Sequence, residues 1–183
     1  MALARSAHRL WLRGLPLPMR TTVARIEGGT MSIQLPTGVQ LRRAVARDRP
    51  DVERLLESSA LPSIDVVDPH IASFVAEAMS TAIGVIGLQR FGDDAVLRGA
   101  CVELAWRRRG IGTNLVELAL REAALGAVDS VFLVTGDSAP LFARFGFMKV
   151  PPNALPFAVT RAVARDVSAR PDAITMELRL VPL

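Results

Sequence analysis

The stretch Arg107-Arg108-Arg109-Gly110-Ile111-Gly112 decides the fold prediction for this chain of 183 residues. It stands directly ahead of residues 113–125, a segment rich in strong helix formers. The unpaired N–H groups and the partial positive charge of a helix N-terminus attract phosphate. Glycines let a phosphate approach the backbone closely, and the arginines add positive charge. The loop is therefore predicted to bind a di-anionic group such as a pyrophosphate.

Two familiar phosphate-binding motifs do not fit this loop. A Walker A loop ends in Gly-Lys-Ser/Thr, which does not occur here. A dinucleotide fingerprint needs a third glycine and a preceding parallel strand, whereas this loop has one Gly-x-Gly. A solvated connection that binds nothing is the alternative that these residues leave open.

Strand candidates surround the loop in a characteristic order. Ahead of it, residues 73–78, 82–91 and 95–104 are separated by short turns, which predicts an antiparallel meander. Behind it, the apolar strand 130–135 follows the helix, so this crossover predicts parallel pairing. Further strands are predicted at 40–45, 147–150 and 173–180. Further helices are predicted to begin at Asp48, to begin at Asp137 or Ser138, and to span 155–167.

The loop, placed after a strand ending in Cys101-Val102, resembles the acetyl-CoA-binding motif of the GNAT superfamily of N-acetyltransferases. The segment Phe142-Ala-Arg144-Phe145-Gly146-Phe147 resembles a later motif of that family, and the element order over 39–183 is also similar. The resemblance implies an α+β fold, with a mixed, mostly antiparallel central sheet flanked by helices on both faces. It divides the chain into an Arg-rich extension, 1–38, and an N-acetyltransferase domain, 39–183.

The resemblance also implies where acetyl-CoA, the co-substrate, binds. The strand at Cys101-Val102 would splay from the strand at 131–134, and the pantetheine arm would lie in the gap. The backbone amide of Val102 would polarise the thioester carbonyl as an oxyanion donor. The residues that the resemblance implies for cofactor binding are Cys101, Val102, Arg107, Arg108, Arg109, Gly110, Ile111, Gly112, Thr113 and Ser138.

The chain departs from the family at the position of the general acid. Many relatives carry a tyrosine four residues before the glycine of Gly-Phe, and this position is Phe142 in a chain that contains no tyrosine. Three alternatives follow. Water or another group protonates the leaving thiolate, the thiolate leaves unassisted, or the protein does not catalyse acetyl transfer.

A general base is needed because the attacking amine must be neutral. Glu103, just past the predicted oxyanion donor, is the candidate catalytic residue, and the alternative is a strand-end carboxylate that pairs with a nearby arginine. Glu77 on a strand and His70 in a loop are further candidates that surface positions would explain equally well. Cys101 is expected to be an inert packing thiol, and the phenylalanines of the later motif to pack in the core.

Composition argues against several other classes of protein. No apolar run approaches the roughly 18 residues that span a bilayer, so no membrane partner is expected. The single cysteine, Cys101, and the two histidines, His8 and His70, provide no metal cluster, so no metal is expected. No Gly-x-Ser-x-Gly motif accompanies either histidine, which argues against hydrolase chemistry. A cytoplasmic location is expected.

The positive charge is concentrated at the start of the chain. Residues 1–30 carry five arginines and one acid, so the other residues hold 22 − 5 = 17 basic and 18 − 1 = 17 acidic side chains. Because a nucleic-acid-binding fold usually has a basic face within the domain, no nucleic acid is expected as a partner. The extension is interpreted as a start codon placed too early, with Met19 or Met31 as the true start. The alternative is a targeting segment or a basic arm, which would make the chain an interaction protein.

Within the superfamily, the resemblance is to arsenic-resistance and amino-acid N-acetyltransferases. It rests on Leu97-Arg98, on Leu141 to Phe147, and on Leu155-Pro156 with a later Pro171, although Arg170 stands where that subgroup often has cysteine. Arg98 would meet an acceptor carboxylate or lie on the outer face of the sheet.

The predicted function is transfer of the acetyl group of acetyl-CoA to a primary amine of a small molecule, such as an amino acid, by direct attack. The alternative is a non-catalytic acyl-CoA-binding or regulatory module. A protein N-terminus or a lysine also remains open as the acceptor. A homodimer is a further possibility, because edge strands in such sheets often pair between subunits.

Overall fold

A computed structural model describes residues 34–170 and 172–180, and a seven-stranded sheet forms its centre. The strands are β1 (Val39–Arg43), β2 (Ile71–Ala78), β3 (Thr81–Phe91), β4 (Asp94–Val102), β5 (Ser130–Thr135), β6 (Met148–Lys149) and β7 (Ile174–Arg179). The helices are α1 (Arg49–Ser58), α2 (Ile111–Leu125), α3 (Ala139–Ala143) and α4 (Phe157–Ala169). Most of the Arg-rich extension, residues 1–33, lies outside the described residues.

The sheet order is β1-β2-β3-β4-β5-β7-β6. Strands β1 to β4 form the predicted antiparallel meander, and α2 crosses over so that β5 runs parallel to β4. β7 returns between β5 and β6 and is antiparallel to both. The predicted α+β fold, with a mixed and mostly antiparallel sheet, is therefore confirmed.

Helices cover both faces of the sheet. On one face α2 buries a stripe of apolar side chains at helical spacing, and α3 packs beside it, in a cluster that includes Ile111, Leu115, Ala119, Phe142 and Phe147. The opposite face carries α1, whose buried residues are Val52, Leu55 and Leu56, and α4, whose buried residues are Val159 and Val163. The meander and β5 are thereby held from both sides.

Several predicted element ends differ from the structure by a few residues, and three of these differences are explained by the local backbone. β4 ends at Val102 and not at residue 104, because the chain turns there into a short 3-10 helix, Leu104–Trp106. α2 begins two residues earlier than predicted, since Gly110 takes the left-handed conformation, φ +81°, that turns the chain into the helix. α4 begins at Phe157 and not at residue 155, directly after Pro156.

Asp48 stands at the N-terminus of α1 as predicted, but its side chain does not cap the helix. Its carboxylate accepts two hydrogen bonds from the Arg42 guanidinium, at 2.6 and 2.8 Å, and one from the backbone N–H of Val45 at 2.8 Å. The same guanidinium also donates to Glu77 on β2. These bonds tie β1, β2 and the start of α1 together.

Candidate active site

A gap opens between the two central strands of the sheet. β4 and β5 pair over only three positions, Asp94–Ser130, Ala95–Val131 and Val96–Phe132, and then separate. The second half of β4 and the end of β5 line a cavity of about 1100 Å³ that extends to residues of α2, α3 and α4. The sheet itself thus provides a passage between the helix layers on its two faces.

A bulge in β4 accompanies this separation. The ladder with β3 shifts its register, so that Val85 opposes Cys101 while Gly87 opposes Arg98. Two residues of β4, Gly99 and Ala100, therefore stand opposite a single residue of β3. Gly99 has φ +59°, and a Cβ atom there would lie 2.9 Å from a methyl carbon of Leu56. A glycine suits this position for both its backbone conformation and its lack of a side chain.

The N-terminus of α2 faces the same cavity. The first backbone bond of the helix runs from Asn114 N–H to Gly110 C=O at 3.1 Å, so the N–H groups ahead of Asn114 precede the helical ladder. Gly110, Gly112 and Thr113 all line the cavity. A Cβ atom at Gly112 would come within 3.7 Å of a Val102 methyl group, so helix and strand lie close together here. This arrangement provides amide donors for an anion.

The three arginines of the loop are not equivalent. Arg107 and Arg108 line the cavity, and Arg107 Nε donates to the backbone carbonyl of Val102 at 2.8 Å. The Arg109 guanidinium lies 5.3 Å from the ring centroid of Trp106 and is not among the cavity-lining residues. The side chain of Ile111 is buried in the core, so that residue offers only its backbone to the site.

The backbone amide of Val102 points toward the gap. Glu103 N–H donates to Ile83 C=O at 2.8 Å, and hydrogen-bonded positions alternate along an antiparallel ladder. Val102, opposite Gly84, therefore occupies a position whose N–H is directed away from β3 and toward the side of β5. This is the direction that an oxyanion donor in the gap requires.

The start of α3 completes the cofactor side of the cavity. Ser138 precedes the helix and lines the cavity, as does Phe142. Phe142 is buried, and its ring packs edge-on against Phe147 with 5.8 Å between centroids. Phe142 and Phe147 belong to the core, as expected, and Phe145 packs against it.

The carboxylates named from sequence lie away from the cavity lining. Glu103 accepts a hydrogen bond from Arg54 at 3.3 Å, the pairing that the alternative interpretation of this residue predicts. Glu77 on β2 accepts from Arg42 and Gln40, which lower the pKa of its carboxyl group. His70 lies exposed in the loop ahead of β2. The structure does not bring these three residues together.

Cys101 lines the cavity, but its thiol is a poor nucleophile. Burial raises the pKa of the Cys101 thiol to about 11, so little thiolate exists near neutral pH. The side chain packs against the apolar cluster beneath α1. Its expected role as a packing residue agrees with this environment.

A charged group that the sequence did not single out lies at the α4 end of the cavity. Arg98 on β4 donates to Asp166 on α4 at 3.4 Å, and Arg170 and Asp172 also line this end. Burial raises the pKa of the Asp166 carboxyl group, while Arg98 and Arg170 act in the opposite direction. Asp166 could not be recognised from sequence, because it comes within range of Arg98 only when α4 packs on the sheet.

Two kinds of site are absent from the part of the chain that the structure describes. No group of three or more His, Cys, Asp or Glu side chains could hold a metal ion among residues 34–170 and 172–180. Within the same ranges, no helix is long and apolar enough to cross a membrane.

Comparison with known proteins identifies the domain. A family model described as "Acetyltransferase (GNAT) domain" matches residues 69–149, which include β2 to β5, the Arg-Gly loop and α3. No curated protein matches the chain in sequence.

Solved structures reproduce the fold at low sequence identity. N-acetylglutamate synthase from Neisseria gonorrhoeae, complexed with coenzyme A and N-acetyl-glutamate, aligns with a TM-score of 0.66 at 20% identity over 78% of this chain and 35% of its own. Rv2747 from Mycobacterium tuberculosis, in complex with CoA, aligns with a TM-score of 0.64 at 23% identity over 78% and 99%. The ribosomal-protein-S18-alanine N-acetyltransferase from Escherichia coli gives 0.62 at 19% identity over 79% and 96%.

These structures establish the fold, and the present chain spans about a third of the N-acetylglutamate synthase it matches. The family model covers the segment that builds both walls of the gap. The observed sheet, helix order and gap agree with that match. Residues 69–149 therefore match the GNAT acetyltransferase domain in sequence, and the described residues share the fold of these solved structures.

Proposed function

We propose that this domain transfers the acetyl group of acetyl-CoA to a primary amine of a small molecule, such as an amino acid, by direct attack of the amine. One observation carries the proposal. The amides at the N-terminus of α2, the N–H of Val102 and the gap between β4 and β5 all belong to a single cavity. That combination suits a ligand with a diphosphate at one end and a polarisable carbonyl at the other.

The residues present fit acetyl-CoA. Gly110, Gly112 and Thr113 would hold the diphosphate through their amides, with Arg107 and Arg108 beside them, and the residues facing the gap would hold the pantetheine arm. Ile111 would contact acetyl-CoA through its backbone only. Ser138 would contact acetyl-CoA from the start of α3. Arg109 stays in the proposed set, although its guanidinium stacks on Trp106.

Acetyl-CoA supplies an activated thioester, and the chain supplies orientation and polarisation. The N–H of Val102 would stabilise negative charge on the carbonyl oxygen as the amine adds. Phe142 has no proton to give, so we propose that the departing sulfur receives its proton from the attacking nitrogen or from water. Glu103 remains a proposed base, although its carboxylate is engaged by Arg54.

The solved relatives support transfer to an amine. One is named as a synthase of N-acetylglutamate, and another as an acetyltransferase for the alanine of a ribosomal protein. These names describe a small-molecule acceptor and a protein acceptor. We propose that a small molecule is the acceptor for this chain.

The runner-up is a non-catalytic acyl-CoA-binding or regulatory module. The observation that favours it is Phe142, which places an apolar ring where many relatives have an acidic hydroxyl group. Steady-state release of free CoA in the presence of an amine would exclude this alternative.

A cytoplasmic location and a homodimer belong to the same proposal and await measurement. β1 and β6 are the outer strands of the described sheet, and a dimer would pair one of them between subunits. Size-exclusion chromatography with light scattering would report the assembly state, and fractionation of cells would report the location.

Calorimetric titration of the full chain with acetyl-CoA tests the cofactor site. We expect micromolar binding to the wild type, a similar affinity in Gly112→Ala, and at least a hundredfold loss in Gly112→Trp. The alanine methyl group fits at 3.7 Å from Val102, whereas an indole ring would fill the entrance to the gap. Wild-type protein that does not bind acetyl-CoA would overturn the proposal.

Gly112→Trp needs a folding control, since a large side chain can disturb the helix. Arg107→Met provides a second variant with a milder change. Arg109→Met is its matched control. Arg107 lines the cavity and Arg109 does not, so we expect about a tenfold loss of affinity in the first, the equivalent of about 1.4 kcal/mol, and little change in the second.

A further inference from the structure

The α4 end of the cavity carries both signs of charge. Arg98 and Arg170 provide two guanidinium groups, and Asp166 and Asp172 provide two carboxylates, all lining the same cavity as the α2 loop. The loop end, by contrast, is lined by the cationic Arg107 and Arg108 and by the amides of α2, with the single carboxylate of Asp137 ahead of α3. The cavity therefore has a positive end suited to an anion and a balanced end suited to a molecule with both charges.

The pair at this end is incompletely satisfied. The guanidinium of Arg98 is fixed by Gln89, whose side-chain oxygen accepts at 2.7 Å, and it reaches only one oxygen of Asp166, at 3.4 Å. The exposed fractions of the two side chains are 15% and 13%. A carboxylate that is buried this far normally has several donors. Asp166 therefore retains capacity to accept a further hydrogen bond.

Arg170 provides a second and independent sign of a ligand. Its Nε atom is buried and has no hydrogen-bond partner among the described residues. A buried guanidinium donor without a partner is unfavourable by about 1–3 kcal/mol, and native structures contain few of them. Arg170 also lines the cavity, and the planar fork of its guanidinium group suits a carboxylate.

Both groups can act on one ligand because Arg170 follows Asp166 by four positions at the end of α4, and both residues line the cavity. Arg170 and Arg98 are the charged groups that lower the proton affinity of Asp166, while burial raises it by more. The net effect is a carboxylate whose pKa lies above the ordinary value of an aspartic acid. Such a group accepts a proton from an ammonium ion more readily than an exposed aspartate does.

We propose that Arg170 and Asp166 form the acceptor site, in which Arg170 binds the carboxylate of a free amino acid and Asp166 accepts the proton of its ammonium group. Arg98 acts as a positioning residue that orients the Asp166 carboxylate from β4. This inference rests on the proposed acetyl transfer and deepens it, because it names the substrate class and replaces Glu103 as the general base.

The transfer of the acetyl group from acetyl-CoA to the amino acid balances in protons and bonds without a further reactant. Asp166 takes one proton from the ammonium ion, and the neutral amine attacks the thioester carbonyl carbon. A C–N bond forms and the C–S bond breaks, while a second proton leaves the nitrogen and the sulfur gains one. The products are the N-acetyl amino acid and free CoA, and Asp166 returns its proton to water.

The acceptor class is tested with matched compounds on the full chain. The twenty standard amino acids are each incubated with acetyl-CoA, and the product is identified by mass spectrometry. The preferred amino acid is then compared with its C-terminal amide and with the amine that lacks the carboxyl group. We expect at least a thirtyfold preference for the free acid in kcat/KM. Equal use of all three would overturn the assignment.

Two variants assign the roles, and Arg161→Met is their control. We expect Arg170→Met to raise KM for the amino acid at least thirtyfold and to remove the preference for the free acid. Arg161 lies exposed on the same helix, over the ring of Phe157, so its replacement should change neither value. Loss of activity for all compounds alike in Arg170→Met would contradict a carboxylate-binding role.

Asp166→Asn is expected to lower kcat at least a hundredfold and to abolish the acid limb of the pH profile. A readout independent of turnover accompanies it. Carbon-13 NMR of labelled aspartate should show, among the carboxyl signals that titrate above the ordinary range in the wild type, one that is absent from Asp166→Asn. An unchanged pH profile in this variant would exclude Asp166 as the base.

The outcomes separate the two proposals. A chain that fails to bind acetyl-CoA refutes acetyl transfer itself. A chain that binds acetyl-CoA and acetylates peptide N-termini or simple amines as well as amino acids keeps the proposed reaction and refutes the acceptor site at Arg170 and Asp166.

Discussion

Two of the arginine–aspartate pairs in this domain have both side chains mostly buried, and they differ in how completely their carboxylates are hydrogen-bonded. At the start of α1, Asp48 accepts two short bonds from Arg42 and a third from a backbone amide, and these lower the pKa of its carboxyl group. At the end of α4, Asp166 has one contact of 3.4 Å with Arg98, and burial raises the pKa of its carboxyl group. The exposed fractions of the two carboxylate side chains, 5% and 13%, are both small.

The comparison shows that burial alone does not decide the state of an acid. Desolvation disfavours the charged form in both pairs, and the number of donors determines whether that effect is overcome. The first pair holds two strands and a helix together. The second lines a cavity and leaves bonding capacity for a ligand. The same two residue types therefore stabilise the fold in one place and are available for chemistry in the other.

Replacement of the two pairs should change stability in different ways, and this is the largest effect that we predict. Arg42→Met leaves Asp48 and Glu77 without their main donor and should lower the free energy of unfolding by about 3 kcal/mol. Asp166→Asn should keep it within about 1 kcal/mol or raise it, because burial disfavours the charged form of Asp166 in the folded protein relative to the unfolded chain. Urea unfolding at neutral pH measures both, and equal destabilisation would contradict the distinction.

A substitution in the β4 bulge beside Arg98 should lower stability more than a substitution in an ordinary turn. Gly99 and Gly92 both have positive φ, at +59° and +69°, so alanine should destabilise either by about 1 kcal/mol. At Gly99 the new Cβ also lies 2.9 Å from Leu56, which is fully buried, whereas at Gly92 nothing lies within 4 Å.

We therefore expect Gly99→Ala to be the more destabilising by about a further 1–2 kcal/mol in urea unfolding. It should also weaken the binding of acetyl-CoA and of the amino acid together, since the bulge lies between the two ends of the cavity. A loss of stability equal to that of Gly92→Ala would show that the core absorbs the methyl group.

The Arg42–Asp48 and Arg98–Asp166 pairs should also differ in how their contributions to stability depend on pH, and this effect should be smaller. The pKa of Asp48 is lower in the folded state, so its contribution is present above the unfolded value, about 4, and is lost as the pH falls through the folded value. Arg42→Met should remove this acid sensitivity from the melting curve.

Asp166 acts in the opposite direction. Because its folded pKa is raised, stability falls as the pH rises from the unfolded value through the folded one. Relative to the wild type, Asp166→Asn should therefore gain melting temperature at neutral pH and lose that gain at low pH. A difference that does not vary with pH would contradict the assigned direction.

The smallest effect is expected at Glu103, the base candidate named from sequence. Its bond to Arg54 joins side chains that are 37% and 45% exposed, so Glu103→Gln should change stability by less than about 1 kcal/mol. If Asp166 is the base, the same variant should keep kcat within about twofold. A hundredfold loss in Glu103→Gln would restore Glu103 to the catalytic role.

The residues at the α2 end of the cavity could be predicted from sequence because they are contiguous in the chain. One loop and the helix that follows it supply the amides and Arg107, and the turn residues that place them belong to the same segment. The meander was equally predictable, since short turns join neighbouring strands. The sequence did not predict that Arg109 would stack on Trp106, because the predicted strand continued to residue 104 and the short helix at 104–106 was not predicted.

The acceptor end could not be predicted in the same way. Arg98 and Asp166 are 68 positions apart in sequence and meet only through the packing of α4 on β4. Arg98 was a candidate for contact with a carboxylate, but nothing in the local pattern around Asp166 distinguishes it from a solvated helix residue. Asp48 illustrates a different limit, since its position predicted a helix cap, whereas Arg42, six residues earlier on β1, binds its carboxylate instead.

The thiol of Cys101 has a consequence for what happens after the reaction. In an acetyl transfer the free thiol of CoA would be released into the cavity that Cys101 lines. With a pKa of about 11, only about one Cys101 in ten thousand is thiolate at pH 7, compared with a few per cent for an exposed cysteine. Formation of a mixed disulfide with the product is correspondingly slow. The domain would therefore keep turning over under mild oxidation that inactivates enzymes with an exposed thiolate.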